Sequence, residues 1–87
     1  MDRRFREVRH GAEFDTSWHE LNLDPKALEP LIIAVKWLIG RTADDCPADT
    51  AGLRHYAHGE SERLPALTFY FTIDDFETCT IRLVRHS

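Results

Sequence analysis

The chain has 87 residues, 43% of them hydrophobic and 30% charged, with a formal net charge of −4. That composition fits one globular domain, residues 1–87, with core enough to fold without a staple, and excludes wholesale disorder, a collagen-like repeat and a disulfide-rich miniprotein. The acidic balance also argues against a general nucleic-acid coat, which depends on surplus Lys and Arg.

The longest apolar run, Leu31 to Ile39, is broken by Lys36 and is far shorter than the ~20 residues of a membrane span. No apolar stretch follows the basic residues at the N-terminus, so no secretory signal is expected and the location is read as cytoplasmic. In that compartment Cys46 and Cys79 read as reduced thiols. Arg3, Arg4, Arg6 and Arg9 crowd one end of the chain, and Arg82, Arg85 and His86 the other. If the two ends meet on adjacent strands they form one basic patch on an acidic body; otherwise they are solvated termini.

Residues 4–9 alternate loosely around Phe5 and Val8 and read as a short edge strand ending at Gly11, its arginines discouraging pairing with another chain. Phe14, Trp18 and Leu21 recur at i, i+4 and i+7, the stripe of a short helix. Asp15 or Thr16 is its expected cap, and Ser17 with Glu20 has capping-box spacing. Asp24-Pro25 opens a second helix, a cap followed by proline at the first helical position. Leu28, Leu31, Ile32, Val35, Leu38 and Ile39 hold one face of it as far as Gly40, the expected stop. Pro30 within that pattern predicts a kink, or a single turn ahead of a helix that begins there. Ile33 and Trp37 form a second apolar stripe, which predicts an interface with a second copy or a partner helix.

Residues 41–52 lack periodicity and read as a loop, followed by a strand over 53–58 and a polar turn over 59–65. Leu67, Phe69, Phe71 and Ile73 then alternate with Thr68, Tyr70 and Thr72, the strongest strand signal in the chain. After a turn at Asp74-Asp75, Cys79, Ile81 and Leu83 alternate in a final strand. The order is β-α-α-β-β-β. It predicts an α+β domain, an antiparallel sheet with two helices packed on one face, and Phe69, Phe71, Ile81 and Leu83 on the helix side.

Gly52-Leu53, Phe71-Thr72-Ile73-Asp74-Asp75 and Leu83-Val84-Arg85-His86, set in this order of elements at this length, resemble the RelE/ParE superfamily of bacterial toxins from toxin–antitoxin pairs. The resemblance implies a helical layer on one side of a curved sheet and basic residues on the other. In the RNA-cleaving members it implies metal-free cutting of messenger RNA on the ribosome, and it implies an antitoxin as partner. His86 is similar in position to the family's terminal Gly-His or Gly-Lys, with Arg85 in place of the glycine. Thr68 stands where the third strand commonly has an arginine, and 53–58 does not alternate basic residues as the second strand often does.

Arg82 and His86 are four apart on a strand and are therefore expected on one face, opposite Ile81 and Leu83. With Arg54 or His55 from the neighbouring strand they form the candidate catalytic group. An arginine fork matches phosphate oxygens, and histidine moves protons at neutral pH. Which of Arg54 and His55 shares that face is open, because a one-residue change of register exchanges the faces. Arg3, Arg4 and Arg85 are the candidate nucleic-acid contacts. The competing reading is a solvated polar strand face. No metal or other cofactor is expected, since His55, His58, His86 and Cys79 lack ligand spacing. Two functions follow: an RNA endonuclease acting with the ribosome, or a non-catalytic protein-binding module.

Overall fold

The structure, a computed structural model, describes residues 6–87, and the expectations for Arg3, Arg4 and Phe5 lie outside the described residues. The elements are β1 (Glu7–His10), α1 (Ala12–Glu20), α2 (Pro25–Thr42), β2 (Arg54–His58), β3 (Leu67–Ile73) and β4 (Thr78–His86), with a 3₁₀ turn at Ala43–Asp45. This is the expected α+β order.

α2 begins as its sequence dictates. The Asp24 carboxylate accepts the Lys26 N–H at 3.1 Å, and Pro25 sits in the first turn, where a missing N–H costs nothing. Leu28, Ile32, Val35 and Ile39 are buried on one face. Pro30 lies inside one continuous helix, so no separate turn precedes it. Gly40 is not the stop. The helix runs on to Thr42, and the buried Gly40 offers its carbonyl to the Arg6 N–H at 2.9 Å, a partner for one last-turn acceptor.

α1 starts earlier than its capping signals suggest. Gly11 is the cap, leaving Asp15 and Thr16 inside the helix. Glycine suits that position because a Cβ would lie 3.3 Å from the Ile81 carbonyl oxygen, to which Gly11 donates its N–H at 2.9 Å. Ser17 is mid-helix. Its hydroxyl donates to the Phe14 carbonyl at 2.9 Å and accepts the Val84 N–H at 3.0 Å.

The sheet order is β1-β4-β3-β2. β2, β3 and β4 form the expected antiparallel meander, but β1 joins β4 in parallel, so the sheet is mixed. The partner of β1 is the last strand of the chain, and no turn or local pattern fixes its direction. Past Ile81, β4 has no strand on its β1 side among the described residues, and the Ser17 hydroxyl of α1 satisfies that edge at Val84.

A bulge in β4 corrects the expected register. Phe71 faces Ile81 while Tyr70 faces Leu83, leaving Arg82 as the extra residue. Val84 therefore turns toward the helices and is buried, and Leu83 does not. Leu67, Phe69, Phe71, Cys79, Ile81 and Val84 pack with Val8 against Phe14, Leu28, Ile32, Val35 and Ile39. Both helices thus cover one face, with the Phe14 and Phe69 rings 6.3 Å apart. Full burial of each such side chain is worth about 1.5–3 kcal/mol. Among the described residues no helix is long and apolar enough to cross a membrane.

Candidate nucleic-acid interface

The face of the sheet away from the helices is built by alternation. Residues paired across the strands share a face, so Thr68, Tyr70 and Thr72 of β3, opposite in sense to the buried Leu67, Phe69 and Phe71, define the open side. His55 pairs with Tyr70 and joins that side, whereas Arg54 pairs with the buried Phe71 and faces the helices. From β4 the open side receives Thr80, Leu83 and Arg85, the partners of Thr72, Tyr70 and Thr68. Arg9, paired with Thr80, extends it onto β1.

Arg82 is on this side as well. Its Nε donates to the Thr72 hydroxyl at 3.2 Å, and its NH2 lies 3.6 Å from Asp74. His86 is not. It pairs with Leu67 on the helix side of the sheet and lines a groove of about 580 Å³ between α1 and the end of β4. Arg82 and His86 are therefore separated by the bulge, because the extra residue changes the parity between them.

The structure thus divides the expected catalytic group in two. Arg82 and His55 share the open face, with Tyr70 between their strands; its ring centroid is 6.2 Å from that of His55. Arg54 is committed elsewhere: its NH1 donates to the Ala43 carbonyl at 3.2 Å and the Cys46 carbonyl at 2.8 Å, closing the end of α2. Among the nucleic-acid candidates, Arg85 is exposed on the open face.

The charges on this face are unevenly held. Arg9 donates to Glu7 at 3.0 Å, with both side chains well exposed. Arg85 has no ion pair among the described residues. Asp75, at the β3–β4 turn, accepts the Glu77 N–H, the Thr78 hydroxyl and the Thr78 N–H. These hydrogen bonds hold its carboxyl below the ordinary carboxylate range.

Arg6 lies on neither face. It is 6% exposed, with NH1 2.8 Å from Asp44 and Nε donating to the Asp75 carbonyl at 3.2 Å. It links the end of α2 to the β3–β4 turn and is a structural arginine. Ile33 is 70% exposed on α2, in a shallow groove with Val8, Lys36 and Trp37, and the Arg41 guanidinium lies 4.3 Å over the Trp37 ring. Cys46 and Cys79 are free. Among the described residues no three His, Cys, Asp or Glu side chains gather at metal-binding distance.

Sequence reasoning missed Tyr70 and the residues around Asp74. Tyr70 was legible, since the alternation that buries Phe69 and Phe71 sends it to the other face. The sharing of Asp74 between two strands has no local signal. No family model, curated protein or solved structure matches the chain.

Proposed function

We propose that the open sheet face binds single-stranded RNA. One observation carries this reading: Arg82 and Arg85 stand on the same uncovered face as the His55–Tyr70 ring pair. Single strands are held by cations along the backbone and by flat rings on which unpaired bases stack. Against the net charge of −4 stands local pairing: on this face Glu7 is held by Arg9 and Asp74 lies beside Arg82. The test is anisotropy of a labelled RNA oligonucleotide over a range of salt. Tyr70→Ala and Arg82→Ala should each weaken binding about tenfold, as stacking and charged contacts of this kind do. His86→Ala, on the other side, should leave it unchanged. Equal losses from all three variants would reject the open face.

Cleavage is a second reading, favoured by His55 and Arg82 sharing one face. His55 would take the proton of a 2′-hydroxyl, and the 2′-oxygen would attack the adjacent phosphorus. The bond to the 5′-oxygen would break, and that oxygen would take a proton from water, leaving a 2′,3′-cyclic phosphate. Arg82 would balance the charge that develops on the phosphate. This is the activity implied by the RelE/ParE resemblance, acting on messenger RNA at cytoplasmic ribosomes, with Arg54 and His86 removed from the catalytic group. Translating extracts supplied with a messenger, or with one carrying a 2′-deoxy block, decide it: loss of the intact messenger only when the 2′-hydroxyl is present supports cleavage. An intact messenger leaves a non-catalytic binder.

The partner reading rests on Ile33, an apolar side chain exposed beside Val8 and Lys36. A second copy or an antitoxin-like helix is its proposed cover. Light scattering that reports a monomer at high concentration, unchanged by Ile33→Asp, would reject the second copy.

A further inference from the structure

Three donors converge on one carboxylate beside the open face. Asp74 Oδ1 accepts from the Thr72 hydroxyl at 3.0 Å and lies 3.6 Å from Arg82 NH2, while Oδ2 accepts from the Thr80 hydroxyl at 2.5 Å. Arg82 Nε in turn donates to Thr72 at 3.2 Å. The donors come from β3 and β4, and the acceptor from the turn between them.

The turn does not need this carboxylate. Its main chain is closed by the Asp74 N–H donating to the Thr78 carbonyl at 3.0 Å, and by Asp75, whose side chain takes two backbone N–H groups. The Asp74 side chain instead reaches over the sheet, 32% exposed beside an Arg82 that is 40% exposed. One guanidinium NH2 with two hydroxyls is a donor set for a monoanion with two accepting oxygens. A phosphodiester meets that description as well as a carboxylate does.

We propose that Thr72, Thr80 and Arg82 form a phosphodiester subsite of the open face, and that Asp74 occupies it as an internal competitor which RNA must displace. The proposal rests on the RNA reading and adds a restraint to it. Binding is held below what the donors alone would give, and removing one negative charge at Asp74 releases it. Asn keeps an acceptor for one of the two hydroxyls and loses the attraction for Arg82, so it weakens the competitor without emptying the turn.

The experiment measures RNA oligonucleotide affinity for the wild type, Asp74→Asn, Arg82→Ala and the double variant, with Glu77→Gln as a control for net charge in the same turn. Asp74→Asn should tighten binding about three- to fivefold, the worth of one exposed ion pair, and Glu77→Gln less than about twofold. In the Arg82→Ala background the gain should vanish. A parallel titration with inorganic pyrophosphate, followed at the Arg82 Nε–H resonance, should shift that signal more readily in Asp74→Asn than in the wild type. If the wild type binds RNA and Asp74→Asn merely matches Glu77→Gln, or its gain survives the loss of Arg82, the subsite is wrong and the RNA reading stands. If no variant binds RNA but pyrophosphate moves Arg82 in Asp74→Asn, the RNA reading fails and the subsite stands. Asp74→Ser, also at home in a turn, repeats the test should Asn unfold the domain. Unfolding of both would make Asp74 a staple of the turn and overturn the proposal.

Discussion

Arg82 and His86, four residues apart on one strand, project from opposite faces of the sheet. One extra residue separates the register of Phe71 and Ile81 from that of Tyr70 and Leu83. The bulge makes a thermodynamic prediction. Phe71→Ala empties a fully buried site and should cost about 3–5 kcal/mol. Leu83→Ala, half-buried on the open side, should cost less than about 1.5 kcal/mol. Urea unfolding of both variants checks this, and a Leu83 cost equal to that of Phe71 would return Leu83 to the core.

Arg54 should behave as a structural residue. Its guanidinium closes the end of α2 through the carbonyls of Ala43 and Cys46, and charged hydrogen bonds of this kind are worth roughly 1.5–3 kcal/mol. Arg54→Ala should lose stability by about that amount and leave RNA affinity unchanged. Lysine should restore part of the loss, since one terminal nitrogen, NH1, makes these contacts and an ammonium can replace it as far as the shorter side chain reaches. Denaturation midpoints and anisotropy, read side by side, separate the two effects.

Stability should fall in two steps as acid is added. Burial, and then the positive charge of Lys36, push the His10 imidazole below its ordinary value of 6.5, against the opposing pull of Asp15. The unfolded chain therefore binds that proton more readily, so this contribution is complete above pH 6.5 and declines as pH falls below it. The hydrogen bond from Arg6 lowers Asp44, and the Glu77 N–H with the Thr78 hydroxyl lowers Asp75, both from 3.8. Their contribution holds above 3.8 and is lost as pH falls through their folded values. His10→Gln should remove the first decline and leave the second, as measured by denaturant midpoints across the acid range.

The thiols should differ in reach. Burial pushes Cys79 up to about 11, and burial also raises Cys46, opposed by the side chain of Thr42 and the positive charge of Arg54. At pH 8 Cys79 should resist a thiol reagent until the domain unfolds, while Cys46, partly exposed, reacts slowly in the native state. Mass spectrometry of a timed alkylation counts the labels. Rapid native labelling of Cys79 would contradict its place beneath the helices.

The legible parts of the fold were those set by neighbours in sequence. Asp24-Pro25 and the spacing from Leu28 to Ile39 dictate α2, and the alternation from Leu67 to Ile73 dictates β3 and its two faces. The bulge was hidden because Leu83 and Val84 are both apolar, and either can fill the core position. Gly40 looked like a stop, but its carbonyl serves Arg6, far away in sequence. The candidate site suffered most from this. Its parity depends on Arg82, and its charge balance on Asp74, whose donors arrive from two strands.

The parallel seam between β1 and β4 also sets an order of events during synthesis. Arg6 reaches the Asp75 carbonyl across 69 residues of chain, and among the described residues the strand that follows it pairs with β4 alone. The first strand therefore leaves the ribosome long before its neighbour exists, and closing so long a loop comes late. α2 and the β2–β3 hairpin rest on contacts much nearer in sequence. Only when the last strand clears the exit tunnel does the first one find its place in the sheet.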